Sequence, residues 1–192
     1  MRLACFLSTA LLMAAPLSAQ SSKDAQIAVA VLAAPADRQA GARVLGYDEA
    51  GKLTVLRDGS NDMVCLADNP AVDGLELNCY HTSLEPFMSR GRELAAQGVP
   101  NAERMRLRYA EAESGQLKLP EKPAVLYTLN GASYDAASNT IAQEYRRQTI
   151  YIPYATPETT GLSPQASSNA PWIMFPGTPG AHIMITPERP KS

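Results

Sequence analysis

Two short apolar runs, 62–67 (DMVCLA) and 75–80 (LELNCY), each carry one cysteine and are joined by Asp68-Asn69-Pro70-Ala71-Val72-Asp73-Gly74. The joining residues favour turns, because Asn and Asp bond to nearby backbone, Pro presets φ and Gly tolerates the left-handed region. The reading is extended, loop, extended, and it brings Cys65 beside Cys79. No other feature restricts the fold as much, since a disulfide there ties two strands covalently. In the chain-entropy model closing a loop of this length stabilises by about 3 kcal/mol, a sizeable share of a small domain's margin. Two reduced, packed thiols are the alternative.

Which state holds depends on the compartment, and the N-terminus speaks to that. Arg2 precedes an apolar run from Leu3 to Leu17, and Leu17-Ser18-Ala19 offers small residues where a signal peptidase reads. Residues 1–19 are therefore expected to be a signal peptide and 20–192 a single exported domain. The apolar run is too short to span a bilayer, and no later segment is long and apolar enough to do so. Cys5 leaves with the signal, so an even pair of cysteines enters an oxidising compartment, periplasmic or extracellular. Lys and Arg number 17 against 19 Asp and Glu, a balance that attracts neither nucleic acid nor an anionic membrane.

Immediately after the second cysteine comes the strongest helical pattern. Leu84, Phe87, Met88, Gly91, Leu94 and Ala95 recur at steps of three and four, which predicts a main helix over about Leu84 to Gln97 with one buried side. Ser83 suits its N-cap, Pro86 its first turn and Gly98 its left-handed end. Upstream, Ser21 with Asp24 resembles a capping box for a short helix stopped by Pro35. Residues 42–47 and 52–57 flank Asp48-Glu49-Ala50-Gly51 as a hairpin.

Downstream, Asn101 is placed to cap a helix over Ala102 to Ser114, whose interleaved acids offset its arginines. AVLYTLN (124–130) reads as a central strand, and Gln143 to Tyr154 as a strand that is edge-like near Pro153. A Thr/Ser/Pro/Gly-rich stretch at about 155–171 reads as a long, mobile exposed loop. Trp172 to Phe175 and Ala181 to Thr186 flank the turn Pro-Gly-Thr-Pro-Gly. The sum is an α+β domain, a mostly antiparallel sheet packed against one main helix with additional short helices.

An exported precursor with VLRDG (55–59), LADNP (66–70) between the cysteines and a C-terminal AHIMI (181–185) resembles a family of uncharacterised exported bacterial proteins. The resemblance implies no catalytic residues.

The residues themselves carry little chemistry. The Gly-x-Ser-x-Gly nucleophile signature is absent, and no glycine-rich phosphate cradle points to a nucleotide, so no cofactor is expected. The reading is an exported, non-catalytic binding or structural module. Trp172, Met174, Phe175 and Met184 are candidates for an apolar ligand or partner surface, with sheet interior as the alternative. The competing reading is a metal-dependent hydrolase or oxygenase in which His81, Glu85 and His182 form an open zinc or iron site. Its alternative is a half-exposed His81 at a strand end and a satisfied His182 within a strand.

Overall fold

The computed structural model describes residues 22–189. The signal-peptide reading thus lies outside the described residues. Among the described residues ten strands and five α-helices follow one another, and eight of the strands form a single sheet.

The cysteine strands lie inside this sheet. β3 (Met63–Leu66) pairs antiparallel with β4 (Leu75–His81), with Cys65 directly opposite Cys79. The two sulfurs are bonded, across a Cα separation of 4.0 Å. β1 (Arg43–Tyr47) and β2 (Leu53–Arg57) form the expected hairpin, with Gly51 at φ 74° in its turn. β1 then lies parallel to β3, so the sheet is mixed rather than uniformly antiparallel. β4 continues to β5 (Ala124–Gly131), and β5 to β8 (Tyr145–Tyr151). β8 is not an edge, because β10 (His182–Ile185) covers its other side and β9 (Trp172–Met174) closes the sheet.

Helices cover both faces of the sheet. On the first face α1 (Lys23–Ala30) and the 3-10 turn Val31–Ala33 bring Ala30, Ala33 and Ala34 onto Val44, Cys65, Leu77, Cys79 and Leu129. Small residues let this short helix approach closely. Gly46 on β1 belongs to the same fit, since a Cβ there would lie 2.3 Å from Leu56 Cδ1 and 2.6 Å from Gln26 Oε1. A four-residue helix, α2 (Ala36–Gln39), links α1 to β1. On the second face α3 (Glu85–Ala96) follows a 3-10 turn, Thr82–Leu84, and Leu84 with Met88 packs on Leu45, Val64, Tyr80 and Ala124. α4 (Asn101–Glu113) lies outside α3, where Arg90 Nε and Nη2 donate to both oxygens of Glu111 at 2.6–3.1 Å.

The helix starts differ by small shifts from the sequence reading. Ser22 caps α1, and Ser21 lies outside the described residues. Ser83 sits inside the 3-10 turn, where its N–H donates to His81 Nδ1 rather than its hydroxyl capping α3. Pro100, not Asn101, precedes α4. Gly98 and Gly115 end their helices at φ 75° and 77°, as a left-handed cap requires. The 155–171 stretch is not a bare loop. α5 (Pro157–Thr160) begins with reciprocal Thr156–Thr159 capping bonds, and the stretch is laced to β9 and β10 through Ile173 N–H to Ser163 O and Thr186 Oγ1 to Ser167 O.

Candidate functional site

The loop joining the two cysteine strands ends at one margin of the sheet, and there α1 and a small hairpin converge on it. The hairpin, β6 (Ser133–Asp135) and β7 (Thr140–Ala142), folds back against Gly131, where a Cβ would stand 2.2 Å from Ile141 Cγ2. Its Tyr134 is held by a hydrogen bond from the phenol to Asn139 Oδ1, 2.9 Å. α1 is fixed from the other side. Gln26 is buried, donates to Tyr47 O at 2.9 Å and accepts from Tyr47 N–H at 2.8 Å, completing the end of β1 as a neighbouring strand would.

Between these supports lies a cavity of about 360 Å³, walled by Ala25 and Val29 of α1, Pro70 of the loop, Leu75 at the start of β4, and Tyr134. Two polar side chains, Gln26 and Asp68, border the otherwise apolar walls. Asp68 Oδ1 accepts the Glu76 N–H at 2.9 Å, which closes the loop onto β4. Burial raises the Asp68 pKa above the usual carboxylate range, against the lowering effect of the Glu76 and Asn69 backbone donors. Such a carboxyl sits closer to its neutral, donating form than a solvated one does.

Around the same loop, on the second face, the part of the sheet not covered by α3 forms a polar trough of about 580 Å³. Its floor is a hydrogen-bonded row. Asn78 Nδ2 and Asn130 Nδ2 each donate to Glu76 at 3.1 Å, Thr128 Oγ1 donates to Asn78 Oδ1 at 2.8 Å, and Arg147 Nη2 donates to Asn130 Oδ1 at 3.0 Å. Alternation along β4, β5 and β8 puts these residues on one face.

The proposed metal ligands are not brought together. His81 follows Leu77 and Cys79 by steps of two and therefore projects from the first face, where its Nε2 is 3.6 Å from Asp62 Oδ2 and its Nδ1 2.8 Å from Ser83 Oγ. His182 pairs across β8 and β5 with Tyr151 and Ala124, on the second face. Two strands and the thickness of the sheet separate the imidazoles. Glu85 is bound elsewhere, accepting from Tyr80 OH at 2.5 Å and from Arg92 at 2.7 Å. Among the described residues no three His, Cys, Asp or Glu side chains gather as a metal site would require.

The suggested apolar surface is mostly interior. Trp172 and Met184 are buried, with the indole N–H donating to Thr186 Oγ1 at 3.3 Å, and Met174 is half-buried. Only Phe175, 41% exposed and at φ 52°, faces solvent, with its ring edge toward His182.

Reading the chain alone missed Gln26, Asp68, Tyr134 and Arg147. Asp68 lies in the turn already picked out, and Gln26 interrupts the apolar side of α1. Tyr134 and Arg147 sit in polar segments whose period carries no mark of burial. No family model matches the chain, and neither a curated protein nor a solved structure matches it.

Proposed function

We propose that this chain is an exported, non-catalytic binding protein that takes a small, largely apolar ligand between α1, the cysteine-strand loop and the β6–β7 hairpin. The observation that carries the reading is the cavity itself, with apolar walls and the Asp68 carboxyl at its border. Its volume of about 360 Å³ lies within the ~300–1,000 Å³ of small-molecule sites, which are characteristically apolar with a few placed polar groups. Apolar burial supplies the affinity, and Asp68 orients one polar end of the ligand. The disulfide supports export, because such bonds persist in oxidising compartments.

Titration with the neutral dye N-phenyl-1-naphthylamine tests this. Saturable, one-to-one fluorescence enhancement is expected, weakened about tenfold or more, ~1.4 kcal/mol, by Ala25→Phe, which fills the cavity from an exposed helix position. Absence of saturation, or equal binding by a folded Ala25→Phe variant, overturns the assignment.

A further inference from the structure

Arg147 presents a hydrogen-bonding edge that the protein only half fills. Its Nη2 donates to Asn130 Oδ1, whereas its Nε is buried and has no hydrogen-bond partner. Nε–H and one Nη–H of a guanidinium form a side-on fork that matches the two oxygens of a carboxylate. A single carboxamide oxygen satisfies one prong, and a buried N–H left unpaired carries a desolvation cost. Asn130 is not fixed by Arg147 alone, since its Nδ2 also donates to Glu76 Oε2, so it has a second anchor if an incoming carboxylate takes its place.

The surroundings narrow the class of ligand. Arg189, its guanidinium 4.6 Å over the Tyr145 ring, lines the trough and adds positive charge on the side of Arg147. The opposite wall carries Asp68, Asp73 and Glu76, from the loop and from β4. β4 and β8 are separated by β5 alone, so the two walls stand about 10 Å apart at the backbone and closer where their side chains reach inward. A simple anion gains from one wall and is repelled by the other. A molecule bearing both charges is matched by both.

We propose that this trough binds a small zwitterion such as an amino acid or dipeptide, with its carboxylate in the Arg147 fork and its ammonium group against Asp73 and Glu76. The site shares Asp68 with the border of the apolar cavity but lies on the other sheet face, and it does not depend on that reading.

The test is a titration of the ¹⁵N-labelled mature protein with alanyl-alanine, read at the Arg147 side-chain Nε–Hε resonance, which Arg147→Lys identifies by removing it. A saturable downfield shift of Hε is expected. N-acetyl-alanyl-alanine, which lacks the cation, and alanyl-alanine amide, which lacks the anion, are each expected to bind about tenfold more weakly. Arg147→Lys keeps the charge without the fork and should weaken the dipeptide by a similar factor. Glu76→Gln leaves the Arg147 signal in place and should weaken the dipeptide but not its acetylated form. No saturable shift with millimolar dipeptide overturns the proposal, and so does acetylated peptide binding as tightly as the free dipeptide.

Discussion

His182 lies between two rings, with centroids 4.9 Å from Tyr151 and 5.7 Å from Phe175, and its Nδ1 is 2.7 Å from Gly180 O. Burial pushes its pKa below the ordinary 6.5, against the raising effect of the Gly180 hydrogen bond. The folded protein therefore resists a proton that the unfolded chain accepts. Stability is held above about pH 6.5 and is lost as the pH falls toward the depressed folded value. Asp68 acts with the opposite sign in more acidic solution. Its folded pKa is raised, so its contribution is present below the unfolded value and lost as pH rises through the folded one. The urea midpoint of the wild type is expected to drop between pH 7.5 and 5.5, and to drop less in His182→Asn. Equal drops in both proteins would remove His182 as the linked group. The neighbouring Tyr151 phenol, pushed up to about 12 by burial, stays neutral throughout. That the histidine stood in a strand was legible in AHIMI. Which face it occupies was not, because face follows from register with β8 rather than from the strand's own composition.

At the scale of elements, β3 and β4 carry the central staple. The bond closes the loop between Cys65 and Cys79 with both sulfurs fully buried. Replacing both cysteines by alanine is expected to lower stability by about 3 kcal/mol in denaturant titration. A loss well under ~1 kcal/mol would show that the sheet holds this register without the bond. Under denaturing, non-reducing conditions neither sulfur should titrate as a thiol. The pairing was readable because turn-forming residues lie between two apolar runs, and that local chemistry suffices to set a hairpin. The β6–β7 hairpin was not readable. Its strands are three residues each, largely polar, and exist because Gly131 lets Ile141 pack against the sheet end. The strand containing Ile150 looked edge-like for a related reason. Pro153 lies beyond the end of β8, where it constrains no ladder bond, and the covering strand β10 arrives from far along the chain.

The whole molecule is a sheet with α1 and its 3-10 turn on one face and α3 with α4 on the other. No helix among the described residues is long and apolar enough to cross a membrane. The reading of residues 1–19 as a signal predicts that a C-terminally tagged full-length chain expressed in a bacterium is recovered in the osmotic-shock fraction or the medium. Its mass should be short by the leader, with the disulfide formed. Recovery at full precursor mass in the cytosol would refute export. By itself the sequence determined the local matters: the amphipathic face from Leu84 to Leu94, the glycine ends of the two longest helices, the turn between the cysteines and the absence of the common nucleophile and phosphate motifs. These depend on periodicity and on residues close along the chain. Only the tertiary structure decided that β1 runs parallel to β3, that His81 and His182 face opposite sides, and that Asp68 borders a cavity while Arg147 lines a trough. Each of those depends on which distant strands become neighbours, and that is settled by the joint burial of faces whose partners no local pattern specifies.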